Sequence, residues 1–295
     1  MKKFKTIASL AAASFIAFGG MTFGSSTRGF CEAINAPAPA KAEITKGDLN
    51  NQKVMGLLWM QTAAEYRALC YQAYNTAMRS VDDALAARES SGDDELLPPA
   101  IVTDIDEAIL NNTPEIARYI YEKDFDYMGV WMAWCAAAEA DALPGAVDCL
   151  NRIASQGVEI FYVTNRNGAN HDGTIENLKK LGFPCADDDH LLLKTEPGSK
   201  QPRFDSVAEN YDVIFYMGDN AGDWPLGTDA RDCAARNAAI DSAASDFGTR
   251  FIAIPNPVYG AWEKAMIPGW KDMTPEELLE ARKALIKSWQ GFDGK

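Results

Sequence analysis

Between Asn50 and Arg88 the apolar positions follow helical spacing: Val54, Leu57, Leu58, Gln61, Ala64, Ala68 and Tyr71 recur on one stripe, without proline or a turn cluster. One or two long helices are expected. The polar stretch Ser90-Ser91-Gly92-Asp93-Asp94 and the pair Pro98-Pro99 then break the pattern, which places a boundary after an N-terminal helical region over 48–97. From there, short apolar runs alternate with helical stretches. Ile101-Val102-Thr103 is the first expected strand, followed by Glu159–Thr164, His190–Lys194, Val213–Met217 and Phe251–Ile254. Between them, Leu143-Pro144-Gly145 opens a helix with Ala146, Val147, Leu150, Ile153 and Ala154 on one face, and Gly157 ends it. Ile175, Leu178 and Leu181 mark another, stopped by Gly182. Continuously apolar strands need cover on both faces. The expected class is therefore α/β: a Rossmann-like, mostly parallel sheet flanked by helices over 98–265, with a smaller α-helical domain. A C-terminal helical segment over 266–295 is announced by Thr274-Pro275-Glu276-Glu277, a capping box with proline at the first helical position.

In an open parallel sheet, ligands bind beyond the carboxyl ends of the strands. Three predicted strands end in polar residues there: Asp104-Ile105-Asp106, Thr164-Asn165-Arg166, and Gly218-Asp219-Asn220-Ala221-Gly222-Asp223. The loop between the last two carries Lys194, Lys200 and Arg203. Singly these are common features. A D-x-D also ends solvated strands or holds a metal for nucleotide sugars, and a loop lysine is ordinarily solvated. Their order along the chain is what carries information.

Composition narrows the options. The 295 residues are 47% hydrophobic and 24% charged, ordinary for a globular protein. A net charge of -14 argues against a nucleic-acid partner, which needs concentrated Lys and Arg. It leaves room for a small anion gathered by local cations and a metal. Lys2, Lys3 and Lys5 precede a short apolar run, Ile7 to Phe18, and then Gly19-Gly20. This reads as a secretory signal over 1–26, with cleavage as late as residue 42 allowed. The run is short for a membrane span, so no stable membrane partner is expected. Six widely spaced cysteines with no CxxC argue against a zinc site. They are compatible with disulfides, although Cys70, Cys135 and Cys149 lie in apolar helical patterns that suit buried thiols. His171 and His190 are too few and too separated for histidine-dependent phosphatase chemistry.

The ordered set D-x-D, Thr, Lys, D-x-x-x-D resembles the haloacid dehalogenase (HAD) superfamily of phosphohydrolases. Within it, the chain resembles the class C bacterial acid phosphatases, a group that includes lipoprotein-type 5'-nucleotidases. The likeness runs from about Asn50 to the C-terminus. It includes Trp59-Met60-Gln61, Trp131-Met132-Ala133-Trp134, Phe161-Tyr162-Val163-Thr164-Asn165-Arg166, Lys200-Gln201-Pro202-Arg203-Phe204, Gly218-Asp219-Asn220 and Tyr259-Gly260-Ala261-Trp262-Glu263.

The resemblance implies a HAD-like core and a Mg²⁺-dependent phosphomonoesterase acting on small esters such as nucleoside monophosphates. Asp104 would be the nucleophile, forming an aspartyl-phosphate, and Asp106 the general acid/base. Thr164 would bind a phosphoryl oxygen and Lys200, rather than Lys194, would neutralise charge. Asp104, Asp219, Asp223 (directly or through water) and the backbone carbonyl of Asp106 would hold Mg²⁺. Asn165, Arg166, Trp131 and Tyr259 would contact substrate, the two rings by stacking a base. Two departures stand out: Ala108 replaces the usual Thr of D-x-D-E-T, and Gly222 replaces an acid of G-D-N-x-D-D. They motivate an alternative, a HAD-fold nucleotide- or cofactor-binding protein with weak or no catalysis; a phosphotransferase is another. Cys31 follows Arg28-Gly29-Phe30, which does not suit lipoprotein processing, so a periplasmic or secreted protein is expected over an outer-membrane lipoprotein. A homodimer is compatible with this reading, and oligomeric state is left open.

Overall fold

The computed structural model describes residues 43–93, 95–122, 126–194, 198–229, 232–289 and 291. The expected signal segment and Cys31 lie outside the described residues. A short helix, α1 (Lys46–Asn50), capped by Thr45, leads into α2 (Val54–Thr62) and the long α3 (Ala64–Ser91). The helical stripe read from sequence is thus two helices, and α3 stops at Gly92 in the left-handed conformation. After β1 (Pro99–Thr103) come a two-residue strand β2 (Leu110–Asn111), helices α4 (Thr113–Tyr121) and α5 (Tyr127–Ala137), and β3 (Asp141–Ala142), antiparallel to β2. No helix was expected at α4 or α5. Then follow α6 (Ala146–Ser155), β4 (Glu159–Val163), α7 (His171–Leu181), β5 (Leu191–Leu192), α8 (Gln201–Ala208) and β6 (Asp212–Gly218). The chain continues through α9 (Cys233–Ser242), β7 (Phe251–Ala253), α10 (Ala261–Met266) and α11 (Pro275–Leu285).

Among the described residues the main sheet has five strands in the order β5-β4-β1-β6-β7, all paired in parallel. Alternation along each strand divides the core. Ile101, Ile160, Tyr162, Phe215 and Met217 pack with residues of α3, α6 and α7 on one face. Ala100, Val102, Phe161, Val163 and Tyr216 pack with Phe204 and Val207 of α8 and Ala243 after α9 on the other. The α/β class is as expected. The N-terminal helices share the first of these cores with the sheet: Leu57, Tyr74 and Val81 belong to it.

Strands β5 and β7 are shorter than their apolar runs suggest, yet backbone pairing continues past them. Lys194 N donates to Arg166 O (2.8 Å) and Ile254 N to Gly218 O (2.9 Å). The capping box of α11 forms as read, with Thr274 and Glu277 exchanging hydrogen bonds. Leu278 of α11 packs with Leu49 and Ile267, so the two ends of the described chain close on each other.

The connections leave β1 on one side and return through β6 on the other, so the topological switch lies between these strands. A cleft opens beyond their carboxyl ends. Helices α4 and α5, inserted with the β2–β3 pair, form part of its wall.

Candidate active site

Asp104 leaves β1 with its N–H donating to Met217 O of β6 (2.8 Å), which carries the sheet pairing one residue beyond the strand. Its Oδ1 accepts from Lys200 Nζ at 2.5 Å, and Lys200 also lies 2.7 Å from Asp223 Oδ1. Asp219, one residue past β6, completes the group. Asp104, Asp219 and Asp223 each offer an oxygen within 4.8 Å of the others. Asn256 Nδ2 donates to Asp219 Oδ2 (2.8 Å), and Asn220 N donates to Asp223 Oδ2 (2.8 Å) as part of a capping box.

Electrostatics here are unbalanced. Burial pushes the Asp104 carboxyl above its ordinary range; Lys200 opposes this, while Asp223 and Asp106 add to it. Burial, then Asp223 and Asp104, push Asp219 well up. Burial works against the charge on Lys200, but Asp104 and Asp223 outweigh it and hold its ammonium above the usual lysine range. Three close carboxylates, Asp104 and Asp223 buried and Asp219 half-buried, lack positive charge with Lys200 as the cation beside them. Their hard oxygen donors suit a divalent cation of the Mg²⁺ or Ca²⁺ kind.

Asp106 sits beside this group in a different setting. Arg166 reaches its Oδ1 through Nε (3.0 Å) and Nη2 (2.8 Å), and Asn112 Nδ2 donates to the same oxygen (2.8 Å). Oδ2 has longer contacts, 3.4 Å from Arg166 Nε and 3.5 Å from Thr164 Oγ1. Thr164 is fully buried, and its hydroxyl accepts from Arg166 N (3.1 Å), so it stands next to Asp106, behind the cleft wall. Arg166 is itself buried, with Nη1 on Thr174 Oγ1 (3.0 Å) and its guanidinium 5.4 Å from the Trp131 ring. Expected as substrate contacts, Arg166 and Trp131 here also orient Asp106 and each other.

The turn after Asp106 explains the rest of the stretch. Glu107 has a left-handed backbone (φ 57°) and is fully buried, its Oε1 accepting from Asn112 N (2.7 Å). Tyr259 Oη donates to Glu107 Oε2, so the Tyr259 hydroxyl is engaged while its ring lines the cleft. Burial, with Asp106 close by, raises the Glu107 carboxyl to about 8. Ala108 is buried and its carbonyl accepts from Tyr74 Oη of α3 at 2.7 Å.

The cleft is a cavity of about 480 Å³. Asp104, Asp106, Lys200, Asp219 and Asp223 face one part of it; Asn165, Arg166, Trp131 and Tyr259 line it as well. Sequence reading missed Lys53, Glu115, Ile116 and Tyr119, which extend the wall. It also missed Arg203 as a positioning residue: its guanidinium donates to Thr164 O and Asn165 Oδ1, tying the Lys200 loop to the end of β4. The Thr113-Pro114 pair after Asn111-Asn112 was an available sign of α4, with proline in its first turn.

A buried acid leaving the central strand and two more returning from its neighbour give the architecture of the HAD superfamily. Comparison with known proteins narrows this. Residues 23–262 match the family described as HAD superfamily, subfamily IIIB (Acid phosphatase). Two solved structures of the class C acid phosphatase from Bacillus anthracis are similar. One, with tungstate bound, is 37% identical and the other 38%; each match covers 82% of this chain and 99% of that one, with a TM-score of 0.74. Vegetative storage protein 1 of Arabidopsis thaliana is 24% identical over 167 residues, 54% of either chain, so this chain spans about half the length of that curated relative. The chain belongs to this family of acid phosphatases, which are phosphoric-monoester hydrolases.

Proposed function

We propose that the chain is an exported, Mg²⁺-dependent acid phosphatase and 5'-nucleotidase, hydrolysing small phosphomonoesters through an aspartyl-phosphate. The observation that carries this is the close group of Asp104, Lys200, Asp219 and Asp223 opening into the cleft beside Asp106. Asp104, Asp219, Asp223 and the carbonyl of Asp106 would hold Mg²⁺, which when bound supplies electrostatic stabilisation to the phosphoryl oxygens.

Asp104 attacks phosphorus, and its new O–P bond forms as the ester P–O bond breaks. Lys200, within hydrogen-bond reach of Asp104, favours the ionised form of that carboxylate against its burial and offsets charge on the phosphoryl group. The departing alkoxide takes a proton from Asp106. Asp106 then takes one from a water whose oxygen attacks phosphorus, which frees Asp104 and inorganic phosphate. Because Arg166 and Asn112 occupy Oδ1 of Asp106, the travelling proton belongs on Oδ2. Asn165, on the cleft wall, supplies a donor to the phosphoryl group. Thr164, buried behind that wall, supports Asp106 and Arg166 instead of reaching the phosphoryl oxygen expected of it, and Arg203 fixes the strand end on which both sit.

The two departures from the family pattern leave the catalytic groups in place. Ala108 serves through its backbone carbonyl, which any residue has. Gly222 lines the cleft, but Asp223 keeps its place in the carboxylate group. The rings of Tyr119, Trp131 and Tyr259 on the cleft wall support a nucleoside as the ester's other half. Export is supported by the basic-then-apolar N-terminus, and no described helix is long and apolar enough to cross a membrane.

The test is phosphate release from p-nitrophenyl phosphate and nucleoside monophosphates, with and without Mg²⁺. Release that depends on Mg²⁺ and vanishes in Asp104→Asn is expected. Full activity of Asp104→Asn would overturn the mechanism.

A further inference from the structure

At the opposite end of the sheet, three unlike donors converge. Glu159 is the first residue of β4; Cys185 and His190 lie on the loop between α7 and β5. A carboxylate oxygen, a thiol sulfur and a ring nitrogen from these residues all lie within 4.8 Å of one another, in a half-buried position. The phosphatase chemistry uses none of them. We propose that this cluster binds a zinc-type divalent cation through Cys185 Sγ, His190 Nε2 and the Glu159 carboxylate, with water as the fourth ligand.

The spacing fits. His190 Nε2 is 3.1 Å from Glu159 Oε2, and Cys185 Sγ is 3.6 Å from the same oxygen. Tetrahedral zinc, with bonds of about 2.0 Å to N or O and about 2.3 Å to S, has ligand–ligand edges of about 3.3 and about 3.5 Å. The two observed edges therefore need almost no movement.

The orientation of His190 points the same way. Its Nδ1 lies 2.6 Å from Asp187 Oδ1, so both ring nitrogens face carboxylate oxygens. A neutral imidazole has a single N–H. With Nδ1–H donating to Asp187, the Nε2 lone pair is aimed toward Glu159 and can take a cation between them, in the place where an imidazolium would carry its second proton. A carboxylate on the far nitrogen is the arrangement that fixes the tautomer of metal-binding histidines.

The donors are also held in place. Tyr162 N donates to His190 O (2.8 Å) and Tyr162 Oη to Pro184 O (2.5 Å). Cys185 adopts φ 52°, a conformation that non-glycine residues rarely take without a local reason. A sulfur and an imidazole select a softer cation than the all-oxygen group at the carboxyl end. The bound ion would join the start of β4 to the loop that precedes β5.

The experiment is Co²⁺ titration of the full chain, read by near-ultraviolet thiolate-to-cobalt charge-transfer absorption and displaced by Zn²⁺. The band should appear in the wild type and in Asp219→Asn, and be absent from Cys185→Ser. Asp187→Asn should weaken binding about 10- to 100-fold. No band in the wild type, or one that survives Cys185→Ser, overturns the proposal. A second measurement is independent of any sulfur chromophore. In the Asp219→Asn background, Zn²⁺ should raise Tm, and His190→Gln should remove that rise. An equal rise with and without His190 also overturns it.

Discussion

The two ends of the central sheet handle charge in opposite ways. At the carboxyl end, Asp104, Asp219 and Asp223 are held close together with Lys200 as the nearby cation, and Asp104, Asp223 and Lys200 are buried. At the amino end, Glu159 and Asp187 flank the two ring nitrogens of His190 at a half-exposed surface. Water can screen the second group and reaches the first poorly. The first keeps the larger unmet demand for positive charge, which is what a site for phosphate dianions and a hard cation requires. The difference comes from topology: the switch between β1 and β6 leaves a cleft, and α4 and α5 close over it.

The largest expected effect therefore belongs to the carboxyl end. Asp104→Asn removes the nucleophile, and kcat should fall by roughly 10⁴-fold or more, measured with p-nitrophenyl phosphate at saturating Mg²⁺. Asp106→Asn should follow at about 10²- to 10⁴-fold, with the loss greatest for esters whose leaving groups are poor. Equal losses for good and poor leaving groups would remove Asp106 from the role of acid.

Next in size is the dependence of stability on pH. In metal-free protein Asp104 and Asp219 stand above the ordinary carboxylate range and Glu107 at about 8. The folded state thus binds more protons than the unfolded chain. The stability these groups give is complete below the ordinary carboxylate range and is lost as pH rises toward about 8. Asp187 has the opposite sign: its hydrogen bond from His190 holds it low, so its contribution fades as pH falls. Asp187 is exposed and screened, so the carboxyl end should dominate. Melting of the chelated protein should drop between about pH 5 and pH 8, and Mg²⁺ should flatten the drop. A flat profile without metal would mean that the buried acids are compensated.

How much of this contrast was legible depends on the range of the interactions. Strands β1, β4 and β6 are buried on both faces, so their apolar runs and polar ends stood out, and with them Asp104, Thr164 and Asp219. Helix α5 did not stand out. Tyr127–Ala137 is apolar around most of its circumference, so no stripe marks a helix face. Glu107 directly follows Asp104-Ile105-Asp106 with nothing local to mark it, yet it is fully buried, because its partners Asn112 and Tyr259 only arrive through folding. The hydrogen bonds of Arg203 to Thr164 and of Asn256 to Asp219 cross long stretches of chain and leave no local pattern. The amino-end cluster was invisible for the same reason. His190 stood only at the start of an expected strand, and Cys185 was one of six scattered cysteines.

The smallest expected effects come from a matched pair that tests whether the two ends are independent. Tyr74 and Tyr162 are both buried, and each donates its hydroxyl to a backbone carbonyl: Tyr74 to Ala108 in the turn beyond β1, Tyr162 to Pro184 in the loop before β5. Replacing either by Phe removes one hydrogen bond and changes little else, at a cost of about 1 kcal/mol, or about 2–4 °C in Tm for a domain of this size. The stability losses should be alike. The kinetic ones should not. The Ala108 carbonyl anchors the turn that carries Asp106, so Tyr74→Phe should lower kcat several-fold with KM nearly unchanged. Tyr162→Phe should leave both constants as they were, because Ile160 and Val163 pack β4 on opposite faces and hold its far end in register. If Tyr162→Phe slowed turnover as much as Tyr74→Phe, the strand would be transmitting displacement from one end to the other, and the amino-end cluster would have to be treated as part of the same machine.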